Sequence, residues 1–214
     1  MISRKEFERQ YSTELLPSSM ANYSIGDIWD WKGFIFNRNL APENANVAEL
    51  QGDEELLKKL QSIALYDANL PDIDMTDDFK ADSSLSIPSL HLNLKGSLDK
   101  DVVEGFHFSS IQGKNAIGFN SLISSVIENL KKTNFDKYDK KVRNFEVVTG
   151  LFYAGSVNIV VKKEISTLAE IEAKLKAIPD AKINVDTADS KTIKYTISNS
   201  KCPFAAQFKT GRDI

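Results

Sequence analysis

Residues 144–163 read NFEVVTGLFYAGSVNIVVKK. Phe145, Val147, Leu151 and Tyr153 share one parity with Thr149, and Val157, Ile159 and Val161 share one parity after a break at Ala154-Gly155-Ser156. Alternation with a period of two marks a strand with one apolar and one polar face. The Ala-Gly-Ser break predicts a short turn, so the stretch reads as two strands. A protein in water buries such an apolar face, and a β-pore shows it to lipid.

The segments around it extend the pattern. Leu90, Leu92, Leu94 and Leu98 alternate with His91, Asn93, Lys95 and Ser97, and Pro88 shifts the parity, which marks a bulge or an edge. A turn near residues 99–101 returns the chain to a strand carrying Phe106 and Phe108. Ile183 with Val185, then Ile193, Tyr195 and Ile197, then Phe204, Ala206 and Phe208 predict three further strands. Helices interrupt these. Leu122, Ile123, Val126, Ile127 and Leu130 line one face of a helix over 119–132. Thr167 and Glu170 form a capping box for a helix over 167–178. Asp53 caps a helix with Leu56, Leu57, Leu60, Ile63 and Ala64 as its stripe, residues 3–11 form a short helix, and 69–82 reads as an acidic loop. The fold class is α+β with a twisted, mostly antiparallel sheet and packed helices. One domain over 1–214 is expected, helical and irregular over 1–83 and strand-rich over 84–214. Its core should hold Phe106, Phe108, Val147 and Ile159 together with the helix face of Leu122, Ile123, Val126, Ile127 and Leu130.

Bulk properties narrow the function. The 214 residues carry a net charge of −3 and 42% hydrophobic residues, so nothing draws the whole chain toward nucleic acid or an anionic surface. Cys202 is the only cysteine, so an internal disulfide is impossible and a reducing cytoplasm fits. The N-terminal MISRKEFERQY lacks the apolar run of a signal peptide, and no apolar stretch approaches the 18 residues of a membrane helix. Charge is nonetheless uneven: eleven acidic residues face three lysines over 43–82, whereas KKTNFDKYDKKVR (131–143) holds six cations against Asp136 and Asp139.

Sites for chemistry are sparse. No phosphate-binding glycine loop is present. His91 and His107 lack the neighbours of a metal site and read as polar-face residues. Cys202 has no base placed beside it and reads as a small apolar side chain. Asp72, Asp74, Asp77 and Asp78 lack the spacing of a calcium loop and read as solvated. No enzyme activity and no cofactor are expected. In the basic run, cations alternate with Phe135 and Tyr138, a composition suited to lipid headgroups or to a solvated helix end. Trp29 and Trp31 suit a membrane interface or packing over a sheet.

Three segments in order carry a family likeness: FHFSSIQGKNAIGFNSLISSVIENL (106–130), FEVVTGLFYAGSVNIVVKK (145–163) and AKINVDTADSKTIKYTISNSKCPFAAQF (181–208), with YSIGDIWDW (23–31) a looser match. Together they resemble the pore-forming domain of bacterial gasdermins, mainly over residues 106–208. The resemblance implies a cytoplasmic protein that oligomerises with itself, refolds strands into membrane hairpins and permeabilises lipid membranes in cell death or defence. Nucleic acid is not an expected partner. Membrane-contact candidates are then Lys131, Lys132, Lys137, Lys140, Lys141, Arg143, Trp29 and Trp31. Hairpin candidates are Leu90, Leu92, Leu94, Phe106, Phe108, Val147, Leu151, Val157, Ile159 and Val161. Two features of the family have no counterpart. Only Lys209–Ile214 follow the last expected strand where the family has an inhibitory segment, and the early acylated cysteine is missing. An inhibitory partner protein is one way such a chain is held inactive. The competing expectation is a binding or regulatory module of the immunity-protein kind that presents its acidic 43–82 face to a basic partner.

Overall fold

The structure is a computed structural model and describes residues 1–16, 24–30, 39–40, 46–64, 66–67, 70–81, 102–115, 120–163, 168–176, 182–187, 189–198 and 203–214. In chain order the elements are β1 (Ile2–Ser3), α1 (Arg4–Tyr11), β2 (Thr13–Leu15), β3 (Ile28–Asp30), β4 (Asn39–Leu40), α2 (Val47–Gln51), α3 (Glu54–Gln61), β5 (Tyr66–Asp67), β6 (Ile73–Asp74), α4 (Thr76–Ala81), β7 (Val103–Asn115), α5 (Asn120–Thr133), α6 (Phe135–Lys141), β8 (Glu146–Lys162), α7 (Leu168–Lys176), β9 (Lys182–Thr187), β10 (Thr192–Ser198) and β11 (Ala205–Thr210). The class is α+β. The ladders β3–β4, β3–β8, β6–β7, β8–β10 and β9–β10 are antiparallel and β1–β6 is parallel.

Short polar side chains start the helices. Ser3, Asn46, Asp53 and Asn134 cap α1, α2, α3 and α6, each accepting a hydrogen bond from a backbone N–H in the first turn. Each such cap is worth about 1 kcal/mol. The expected helices over 3–11, 119–132 and after Asp53 are present as α1, α5 and α3, although Ile63 and Ala64 fall beyond the end of α3. Two local expectations are corrected. The acidic segment is no loop: Ile73 pairs with Phe108 in β6, and Thr76 begins α4 with its N–H on Asp74. The second half of the basic run is the helix α6, not a helix end and loop.

The quoted stretch is also corrected. It is not a hairpin but one strand, β8, of 17 residues. Gly155 has no positive φ, and the only glycines that do, among the described residues, are Gly26 and Gly52. The parity explains why no turn forms. Val147, Leu151, Tyr153, Val157, Ile159 and Val161 are all odd-numbered, so the apolar face passes through Gly155 without a break.

The described residues group into two compact units, each built from three chain segments. One holds Met1–Ala21, Asp67–Gln112 and Phe152–Phe204. Its core gathers Phe7, Phe152, Phe204, Phe108 and Phe106, with Phe7 edge-on to Phe152 at 5.8 Å and Phe108 at 4.8 Å from Phe204. Completely burying one such ring is worth about 1.5–3 kcal/mol. Within this unit β6, β7, β8, β10 and β9 lie side by side in that order. Val157, Ile159, Val161, Tyr195 and Ile197 are buried along them, as are Ile171 and Leu175 of α7.

The other unit holds Asn22–Tyr66, Gly113–Leu151 and Ala205–Ile214. Here Ile28 of β3 pairs with Val147 of β8, and Lys137 donates to the carbonyl oxygen of Leu50 at 2.6 Å, which ties α6 to the end of α2. Ile123, Ile127 and Leu130 of α5 are buried as expected. Val126 is only half-buried, a correction, because it lines a cleft shared with α3. The side chain of Leu122 lies outside the described residues.

Candidate functional site

The two-faced sheet that the sequence leads one to seek occupies the second half of β8 and its neighbours. The register places Val161 opposite Ile193, Ile159 opposite Tyr195 and Val157 opposite Ile197. All but the half-buried Ile193 are buried. On the other parity, Ser156 faces Ser198, Asn158 faces Thr196 and Lys162 faces Thr192. Side chains bond across this polar face. Ser109 Oγ lies 2.6 Å from Ser156 Oγ, the Asn158 amide donates to Ser109 Oγ at 3.1 Å, and Thr196 Oγ1 donates to Asn158 Oδ1 at 2.9 Å. Lys162 pairs with Glu104 at 3.6 Å. Val102 meets Lys162, Val160 lies beside Gly105, and Ser109 meets Ser156, so β7 and β8 run antiparallel.

The first half of β8 differs from the expectation of one apolar and one polar face. Val147 through Ala154 are buried on both parities. Such a strand reads as a near-continuous apolar run, and VVTGLFYA is one. The hairpin candidates Val147 and Leu151 sit in that doubly buried half. Val157, Ile159 and Val161 sit in the two-faced half, and Phe106 and Phe108 are buried on β7. Leu90, Leu92 and Leu94 lie outside the described residues, as do His91 and Cys202.

β7 changes face along its length. Phe106 and Phe108 are buried before Ser110, and Ile111, of the other parity, after it. Ser110 has φ 53°, the left-handed conformation of a bulge residue. Gly155 lies against this bulge. A Cβ there would stand 2.8 Å from the Ser110 carbonyl oxygen and 2.9 Å from its Cβ.

The membrane-contact candidates separate. Trp29 is completely buried, with its ring 5.6 Å from that of Phe208, which is the packing reading of the two given for it. Trp31 lies outside the described residues. Three of the cations are paired with a carboxylate four residues earlier: Lys132 with Glu128 at 3.7 Å, Lys140 with Asp136 at 2.9 Å and Arg143, just past α6, with Asp139 at 2.8 Å. Lys131 sits 5.7 Å above the Tyr138 ring. Lys137 holds the Leu50 carbonyl, and Lys141 is half-buried. The exposed aromatic of this region is Phe135, at 55% exposure.

A buried polar cluster was missed. Asp27 and Asn46 are 5% and 1% exposed. Asp27 Oδ2 accepts from the Ser24 N–H at 2.6 Å, and its Oδ1 accepts from the Asn46 amide at 3.0 Å. Asn46 also donates to the Ile25 carbonyl and accepts from the Ala48 N–H. Burial pushes the Asp27 carboxyl up to about 7, against the pull of its two hydrogen bonds. The signal available was Asn46 as the cap of α2. Nothing local pairs it with a residue nineteen positions earlier. His107 Nδ1 lies 3.4 Å from Asp74. Burial resists ionisation of Asp74, but hydrogen bonds from Thr76 and the proximity of His107 outweigh it and lower its pKa.

Among the described residues, no group of three or more His, Cys, Asp or Glu is placed to hold a metal ion, and no helix is long and apolar enough to cross a membrane. A cleft of about 500 Å³ between α3 and α5 carries Asp53, Glu55 and Glu128 with Lys59 and Lys132. Both signs of charge line it, so it selects no simple ion.

No family model and no curated protein matches the chain. Among solved structures it is similar to that of a bacterial gasdermin from Bradyrhizobium tropiciagri, with 16% identity over 95% of this chain and 86% of that chain, and a TM-score of 0.47.

Proposed function

We propose that the chain is a gasdermin-like pore-forming protein that oligomerises on a membrane and inserts β7 and β8 as a hairpin, causing cell death or defence. One observation carries the reading. β8 runs 17 residues and its antiparallel neighbour β7 runs 13, whereas strands in globular proteins usually run about 5–6. A bilayer needs about 9–11 residues of strand with apolar and polar side chains alternating. The stretch from Tyr153 to Lys162 has the length, and its side chains alternate except at Ala154 and Val160, which share the polar parity. Val157, Ile159 and Val161 would face lipid, and Ser156, Asn158 and Lys162 the aqueous lumen. The apolar row is buried in the resting fold, so insertion requires its cover to leave. Glu172 of α7 bonds the Tyr195 hydroxyl at 3.4 Å, which makes α7 the segment to displace.

The test is dye release from anionic and zwitterionic liposomes, with negative-stain images of the same samples for rings. Environment-sensitive labels on single cysteines at residues 157–161, in a Cys202→Ser background, read the strand directly. Labels at 157, 159 and 161 should enter lipid while those at 158 and 160 stay wet. Liposomes that stay sealed under every lipid and activation condition, or labels without a two-residue period, would favour the soluble binding module.

A further inference from the structure

β9 is the outer strand of the ladder β8–β10–β9, and among the described residues its hydrogen-bonded neighbour is β10 alone. Five of its six residues are exposed, and it contains no proline. In a strand paired on one side, the peptide groups directed away from that side are left to solvent and can template another strand.

We propose that β9 pairs antiparallel with β9 of a second copy of this chain, about a two-fold axis through Asn184. Three features of the strand lead there. The first is an apolar row that ends in water. Ile159, Tyr195 and Val185 are register partners across β8, β10 and β9. Ile159 and Tyr195 are fully buried, yet Val185 is 50% exposed. A second copy of the strand would continue the row.

The second feature is symmetry. A two-fold axis perpendicular to a sheet returns every side chain to its own face, so one residue must lie opposite itself. Centred on Asn184, Ile183 meets Val185 of the partner subunit, and Val185 meets the partner's Ile183. The third feature is charge. In the same register Lys182 meets Asp186 of the partner subunit on the opposite face, and it does so twice. A centre at Val185 sets Asp186 against Asn184, and a centre at Ile183 sets Lys182 against Asn184. Only the Asn184 centre joins the cation to the anion, and cross-strand pairs of opposite charge stabilise a sheet while like charges destabilise it. The pairing involves neither β7 nor the two-faced half of β8, so it stands or falls separately from pore formation.

The experiment is sedimentation equilibrium of the whole chain in a Cys202→Ser background. A concentration-dependent dimer is expected. Lys182→Glu and Asp186→Lys should each weaken it about tenfold or more, because each replaces two attractions with two repulsions. The double variant Lys182→Glu/Asp186→Lys should restore it, a rescue that misfolding of a single variant cannot mimic. Mild oxidation should link Asn184→Cys to itself and leave Lys182→Cys unlinked. A chain that stays monomeric at all concentrations, a dimer indifferent to either single change, or a double variant no better than the singles would overturn the proposal.

Discussion

Gly155 stands against Ser110 so closely that a side chain at 155 has no room, and Ser110 is the residue at which β7 bulges and reverses its inward face. The glycine is therefore a matched concavity for a bulge on the neighbouring strand. Gly155→Val should destabilise the protein by about 1–3 kcal/mol, the usual cost of forcing atoms into filled space. Ser110→Gly should be neutral or stabilising by up to about 1 kcal/mol, since glycine adopts a left-handed φ without steric cost. Urea midpoints measure both, and a tolerated valine would show that the bulge moves freely.

The Asp27 carboxyl gives stability a pH dependence of definite sign. Its folded pKa is raised from 3.8 to about 7, so its contribution is fully present below the unfolded value and lost as pH rises through about 7. Urea stability should fall by a few kcal/mol between pH 5 and pH 8, and Asp27→Asn should flatten that fall. The difference between wild type and variant isolates Asp27 from the histidines. Parallel profiles would mean that the carboxyl stays ionised while buried.

On α5, Ile127 is 4% exposed whereas Val126 borders the cleft. Ile127→Asp should cost several kcal/mol, because an unpaired charge would be left in the core. Val126→Asp should cost much less. Equal losses of melting temperature would place both on one buried face.

If the α5–α6 corner meets anionic lipid, changing Lys131, Lys132, Lys140 and Lys141 to Glu should weaken liposome binding and reduce its sensitivity to salt. Each cation near such a surface is worth about 1 kcal/mol. Lys137 is left in place because it holds the Leu50 carbonyl. Unchanged binding would leave these lysines with their contacts inside the protein, the pairs Lys132–Glu128 and Lys140–Asp136 and the Tyr138 ring under Lys131.

Much of this fold was legible because its signals are local. Asp53 and Ser3 announce their helices, and the alternation through Ile193, Tyr195 and Ile197 announces β10. The misreadings share a cause. Ala154-Gly155-Ser156 resembles a turn only while the neighbouring strand is unknown, because the small residues are required by Ser110, forty-five positions earlier. Trp29 suited an interface or packing alike for the same reason: nothing near it in sequence foretells Phe208. The two-faced segment was visible as a pattern, but its restriction to the half of β8 after Ala154 depends on what covers each parity.

β8 passes from one compact unit to the other between Leu151 and Phe152 without leaving the extended conformation. Each unit also draws segments from three separate parts of the chain. No single cut releases either one as a continuous polypeptide. Dissection by truncation is therefore closed to this protein, and insertions or deletions within β8 would be inherited by both units at once.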